Sequence, residues 1–142
     1  MQVGDRFPVD ELGLRDGDGP VIVYFYPRAA TPGCTVEANE FNRRYDDLGE
    51  AGVRLVGVSV DPVEANNEFA QDCGLRFPLH SDTAGELTTR LGLMKRYGDY
   101  GEMAARVTVL VDENGVVEEV WRVDDDIPSH VEEVVERSTR RR

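Results

Sequence analysis

The order of apolar and polar positions divides the chain into alternating strand-like and helix-like segments. VIVYFY (21–26) is an unbroken apolar run rich in β-branched and aromatic residues, the pattern of a central strand covered on both faces. From Thr35 to Leu48, Ala38, Phe41, Tyr45 and Leu48 recur at helical spacing, and Glu50-Ala51-Gly52 supplies the stop. VRLVGVSV (53–60) predicts a second buried strand. Asp61, Pro62 and Glu64 then read as N-cap, first-turn proline and capping-box acid of a helix that runs to Gly74, a natural terminator. FPLHSD (77–82) reads as a short strand and GELTTRLGL (85–93) as a short helix. VTVLVD and VVEEVWRV, joined through Glu113-Asn114-Gly115, alternate as a hairpin with an Asn-Gly turn, and PSHVEEVVER (128–137) is an amphipathic helix. Strand and helix alternate first and a hairpin follows, which predicts an α/β fold with a central mixed sheet flanked by helices on both faces.

Length and charge narrow the partners. The 142 residues suit one domain spanning 1–142, large enough to bury a core without disulfide or metal support. With 28 acidic and 16 basic side chains the formal charge is −12, so the mean field opposes nucleic acid and anionic membrane. Of the basic residues only Lys95 is a lysine, a bias that bears on solubility and not on chemistry. The basic ending is expected to be a flexible solvated tail from residue 136 to 142. No apolar run is long enough to span a bilayer and the start has no apolar signal core, so the expected setting is cytoplasmic.

The chain has 2 cysteines, too few for a structural disulfide framework. Cys34 falls behind Thr31-Pro32-Gly33, where a buried strand gives way to a helix. Open α/β sheets place ligands at that seam, and unpaired amides with the helix dipole stabilise a thiolate there. Gly33 lets a small ligand approach the backbone, and Thr31 brings a hydroxyl within reach of the sulfur. On position alone, a buried small hydrophobe explains Cys34 equally well. A zinc site from Cys34, Cys73, His80 and His130 lacks any short paired spacing. His80 is expected to pack beside its strand, His130 to be a solvated or capping residue, and Trp121 to be core.

PRAATPGC (27–34) fits PxxxTxxC, the active-site signature of peroxiredoxins, and the chain resembles the bacterioferritin-comigratory, or PrxQ, branch of that family. The likeness continues collinearly through VGVSVD, FAQDCGLRFPLHSD, RVTVLVDENG and VWRV to HVEEVVE. It implies a thioredoxin-like fold, a monomer, and a cofactor-free, metal-free, thiol-dependent peroxidase acting on hydrogen peroxide and small organic hydroperoxides. Residue by residue it makes Cys34 the peroxidatic cysteine, Thr31 the hydroxyl that binds peroxide and thiolate, and Pro27 the ring that shields the sulfur. Arg106 becomes the guanidinium facing the thiolate, and Glu37 helps to hold it. Arg106 opens a predicted central strand, where a buried charge needs an anionic partner. Ionisation alone is a small lever: a cysteine with a pKa of about 8.5 is already roughly 3% thiolate at pH 7, so most of the acceleration must come from groups that hold the peroxide and stabilise the departing oxygen.

The resemblance leaves the recycling step open. The position five residues beyond Cys34, where many relatives carry the resolving cysteine, is Asn39. Cys73 lies in the next helix, where other relatives place it, but Ala65, Phe69 and Cys73 also form an apolar stripe at helical spacing. Cys73 is thus either the resolving thiol, with thioredoxin as reductant, or a core residue beside a one-cysteine cycle served by an external thiol. A thiol–disulfide oxidoreductase of the same fold would need CxxC, which the chain lacks; a peroxide-sensing module without turnover stays open. The segment before VIVYFY and the loop LMKRYGDYGEMAAR (93–106) are both shorter than the family's usual ones, which implies a more open site edge.

Overall fold

The computed structural model describes residues 1–123 and 125–140. Its centre is a five-stranded sheet built from β1 (Val21–Phe25), β2 (Arg54–Ser59), β3 (Leu79–Ser81), β6 (Val107–Val111) and β7 (Val117–Arg122), in the order β3-β2-β1-β6-β7. β1, β2 and β3 are parallel neighbours, whereas β6 runs antiparallel to β1 and β7 antiparallel to β6. All five residues of β1 are buried, as its continuous apolar run requires of the middle strand.

The two crossovers, through α1 (Pro32–Arg43) and α3 (Val63–Cys73), both step away from β1 in the same direction. Right-handed connections therefore put both helices on one face. That face buries Ile22, Tyr24, Tyr26, Leu55 and Leu110 against Ala38 and Phe41 of α1, Phe69 of α3 and Val131, Val134 and Val135 of α5 (Ile127–Thr139). The opposite face buries Val21, Val23, Phe25, Val56, Val58, Val107 and Val109 against Phe7, Val9, Leu91 and Leu93, the last two just beyond α4 (Glu86–Arg90). Odd and even strand residues thus feed two cores. Gly57 is required by close approach, because a Cβ there would meet Leu79 at 2.8 Å and the Tyr24 ring at 2.9 Å.

Several elements depart from the sequence reading. The helix expected to run through Leu48 begins earlier, at Pro32, and breaks at Arg44, after which α2 covers Tyr45–Glu50. The Arg44 amide is shared between the carbonyls of Glu40 and Phe41, a tightened turn, while its guanidinium leaves the helix for Asp47 and, on α5, Glu132. Asp61 is not an N-cap: the flanking residue is Pro62, in extended conformation, and no side chain caps α3. Gly74 does terminate α3, with φ 62°. The loop before Arg106 contains an unforeseen hairpin, β4 (Met94–Arg96) and β5 (Glu102–Ala104). The basic segment from 136 is helical as far as Thr139, with Arg137 bonded to Glu119 and Arg140 to Glu136; residues 141 and 142 lie outside the described residues.

The sheet topology decides where chemistry can sit. Phe25, the last residue of β1, pairs with Val58 near the end of β2 and with Val107 at the start of β6. The loop leaving β1, the loop leaving β2 and the residue preceding β6 therefore meet at one end of the sheet.

Candidate active site

Cys34 is the third residue of α1, behind Pro32 and Gly33, and is 1% exposed. Arg106, one residue before β6, reaches it across the sheet end: Nη2 lies 3.5 Å from Cys34 Sγ, and Nη1 donates to Glu37 Oε1 at 2.7 Å. Glu37 lies one helical turn after Cys34, on the same side of α1, and is wholly buried. The guanidinium therefore spans a thiol and a carboxyl group held by one helix. Gly33 leaves it room, since a Cβ there would stand 3.0 Å from Arg106 Nη2.

The electrostatics follow from burial. Burial pushes the Glu37 carboxyl up to about 7, outweighing the charge and hydrogen bond of Arg106. Its second oxygen, Oε2, has no hydrogen-bond partner among the described residues. For Arg106, burial opposes the charged form, but Glu37 and Cys34 together outweigh it and raise the pKa above the ordinary guanidinium value.

Thr31 is the N-cap residue of α1, yet its hydroxyl makes no capping bond and instead donates to the Arg28 carbonyl at 2.8 Å. Pro27, two residues past β1, is half-buried at the same sheet end. The sequence-predicted set of Cys34, Thr31, Pro27, Arg106 and Glu37 thus gathers where β1 meets α1 and β6.

Cys73 stands apart. It is half-buried at the last residue of α3, packed against the same core cluster as Cys34, and burial, helped by Asp72, raises its pKa. Next to it, the Gly74 carbonyl accepts from Asn42 Nδ2 at 3.1 Å. Asn42 follows Cys34 by eight positions in α1, about 12 Å along the helix axis. The two thiols are free and lie toward opposite ends of α1.

Three neighbours of the site were missed from the sequence. His130 is not solvated: its side chain is 8% exposed, with Nε2 3.0 Å from Thr108 Oγ1 and 3.8 Å from Glu37 Oε2. Burial takes its pKa down to about 4, with the charge of Arg106 adding to the fall and Glu133 opposing it. Tyr97, ahead of the β4–β5 turn, donates to the Ala104 carbonyl at 3.0 Å, and its pKa is raised by burial, with Arg106 lowering it and Cys34 raising it further. Asp61 accepts the Ala29 amide of the loop before Cys34 at 2.7 Å. The sequence reads His130 as solvated or capping and Asp61 as a helix cap, and it leaves Tyr97 in an unassigned loop. His80 lies on β3, and Trp121 packs at the core edge with Nε1 3.1 Å from Glu133.

A thiol in the first turn of a helix, bridged by arginine to a buried carboxyl at the end of a mixed sheet, defines a thioredoxin-fold protein with a cysteine-centred site. The chain belongs to the AhpC/TSA family, whose profile matches residues 5–120. It is 37% identical to a Coxiella burnetii protein named for peroxiredoxin Bcp, over 96% of this chain and 98% of that one. It is 35% identical to the peroxiredoxin Bcp of Xanthomonas campestris over 72% and 66% of the respective chains. Among solved structures, the peroxidoxin BcpB of Mycobacterium tuberculosis superposes with a TM-score of 0.86 at 27% identity, covering 99% of this chain and 97% of that one. The bacterioferritin comigratory protein of Xanthomonas campestris gives a TM-score of 0.82 at 27% identity, with 97% of each chain covered. Among the described residues no helix is long and apolar enough to cross a membrane.

Proposed function

We propose that this protein reduces hydrogen peroxide and small organic hydroperoxides at Cys34, with a thiol as the eventual electron donor. The observation that carries the reading is the guanidinium of Arg106, which contacts both the Cys34 sulfur and the buried Glu37. In the reaction the Cys34 thiolate attacks one peroxide oxygen; the S–O bond forms as the O–O bond breaks. Sulfur loses two electrons and becomes a sulfenic acid bearing the transferred hydroxyl, and the departing oxygen takes up the proton that the thiol gave up on ionising and leaves as water or alcohol. Arg106 stabilises the sulfur anion and the charge that develops on the leaving oxygen. Glu37 fixes the guanidinium, while Thr31 and Pro27 shape the approach and limit it to small oxidants.

A thiol then attacks the sulfenic sulfur, releasing water and leaving a disulfide that a second thiol reduces. Cys73 performs this step if the ends of α1 and α3 unwind, because a disulfide needs Cα atoms within about 7 Å. A second reading, direct attack by thioredoxin or another external thiol, is favoured by the position of Cys73 at the far end of α1 and by its raised pKa. The protein acts in this reading as a cytoplasmic monomer.

Stopped-flow oxidation of the reduced protein by peroxide tests the assignment. Cys34→Ser is expected to abolish oxidation, and a variant that still reacts at the wild-type rate overturns the reading. Cys73→Ser should leave the first step within about twofold; loss of turnover with thioredoxin alone assigns Cys73 as the resolving thiol, and retained turnover assigns the external route.

A further inference from the structure

The loop that carries the chain from β1 into α1 is bent against its own preference. Ala30 has a φ of 66°, in the left-handed region that a residue with a Cβ resists. Two hydrogen bonds brace the bend. Thr31 Oγ1 donates to the Arg28 carbonyl at 2.8 Å, and the Ala29 amide donates to Asp61 Oδ2 at 2.7 Å. The first is local; the second ties the loop to the end of the neighbouring strand, β2.

The Asp61 acceptor is itself fixed. The same Oδ2 accepts the Ser59 hydroxyl at 2.7 Å, and Asn66 Nδ2 donates to Ser59 Oγ at 3.0 Å and to Ser81 Oγ at 2.8 Å. Tyr26, the residue before Pro27, donates its hydroxyl to Asn66 Oδ1 at 2.6 Å. Ser59 is 0% and Asn66 1% exposed, so the inner part of this network works away from water, where satisfied polar groups are stiff and an unpaired one is costly, while Asp61, Ala29 and Ser81 are half-buried. Side chains from the ends of β1, β2 and β3 and from the first turn of α3 thus form one chain of hydrogen bonds that reaches the acceptor of the Ala29 amide through the Ser59 hydroxyl.

From this geometry, and resting on the reading of Cys34 as the peroxidatic thiol, we infer that Asp61 is a positioning residue for catalysis. Its carboxylate latches the strained 27–31 loop and so holds Thr31 and Pro27 in place beside α1. Asp61 does not cap α3, although it stands where a cap is expected, and its two donors are the loop amide and the serine that orients it. Without the latch, Ala30 relaxes toward negative φ, the peptide units on either side rotate, and the Thr31 hydroxyl moves off the peroxide path. Since α1 is held separately by its own packing, Cys34 stays buried and the chemistry slows without being lost.

The test compares stopped-flow second-order rate constants for peroxide oxidation in wild type, Asp61→Ala, Asp61→Asn and the double variant Asp61→Ala with Ala30→Gly. Asp61→Ala is expected to slow oxidation at least tenfold while far-ultraviolet circular dichroism stays unchanged. Asp61→Asn keeps an oxygen able to accept both hydrogen bonds and should stay within about threefold of wild type; if it falls as far as Asp61→Ala, the effect is one of charge and the latch is refuted. Ala30→Gly removes the penalty at φ 66° and should restore about fivefold of the loss in the Asp61→Ala background, which a merely structural role of Asp61 does not predict. Oxidation of Asp61→Ala at the wild-type rate, or no recovery on adding glycine, overturns the inference. Should Asp61→Ala fail to fold, exchange of the Ala29 amide in the wild type decides: protection is expected, and exchange at the open-chain rate overturns the latch. These outcomes are separate from the assignment of the thiol, which stands or falls with Cys34→Ser.

Discussion

Glutamine at position 37 tests the electrostatics of the site most directly. The Glu37 carboxyl rises from 4.5 to about 7 because burial outweighs Arg106, so the native state holds a proton that the unfolded chain has lost. Stability therefore falls as pH rises through this window: the loss begins near the unfolded value and is complete above the folded one. At about 1.4 kcal/mol per pKa unit, a span from 4.5 to about 7 corresponds to about 3 kcal/mol, most of it lost between pH 5 and 8. Glu37→Gln resembles the protonated acid in shape and charge and keeps an oxygen that can accept from Arg106 Nη1. Urea unfolding of the two proteins at pH 5, 6, 7 and 8 gives the difference in free energy at each pH, in which every other carboxylate cancels. The variant should gain on the wild type by about 2.5 kcal/mol across this range. Parallel stability curves would falsify the claim that burial, and not the arginine, governs Glu37.

Two substitutions probe the reach of the guanidinium. Arg106→Met removes the guanidinium that contacts both Cys34 and Glu37 and should lower the peroxide oxidation rate by about 10²- to 10³-fold; a fall of less than threefold in stopped flow takes Arg106 out of the reaction. Gly33→Ala places a methyl group 3.0 Å from Arg106 Nη2 in a helical turn that favours alanine, so oxidation should slow about tenfold while the thermal midpoint holds or rises. An unaltered rate in Gly33→Ala means that the guanidinium is free to shift.

The unbroken apolar run of β1 and the alternation around the Asn-Gly turn are local signals of buried strands, and they carried the sheet. Cys34, Glu37 and Arg106, which the structure brings into contact, were legible through the cysteine motif and a likeness running nearly the length of the chain, and Thr31 and Pro27 come from the same motif. The break at Arg44 was not legible, because its cause includes Glu132 on the last helix, 88 positions away. The β4–β5 hairpin has only three residues per strand, with Lys95, Arg96 and Glu102 exposed and Met94, Met103 and Ala104 turned inward, too short a run for periodicity to mark it. Asp61 shows the sharpest failure of a local rule: an acid before Pro62 reads as a cap, but its donor amide belongs to Ala29, 32 residues earlier. His130 followed the same course, since the hydroxyl that engages it lies on β6.

Glu37 and His130 also constrain each other. They stand 3.8 Å apart, and burial favours the neutral form of each, raising the acid to about 7 and lowering the base to about 4. Their linkages run in opposite directions. The native chain loses stability through Glu37 as pH rises from 4.5 toward 7, and through His130 as pH falls from 6.5 toward 4, so across the overlap the two slopes offset each other. Both groups can then stay uncharged over mildly acidic pH, because burial raises the acid and lowers the base. Each single variant should expose the linkage of the other group. Relative to wild type, His130→Gln should gain stability as pH falls below 6.5, and Glu37→Gln should gain as pH rises above 4.5. The double variant should combine the two gains, departing from their sum only by the interaction of two sites 3.8 Å apart. If His130→Gln gains nothing on the acid side, the imidazole is charged in the native protein and the pocket is not the neutral enclosure its burial implies.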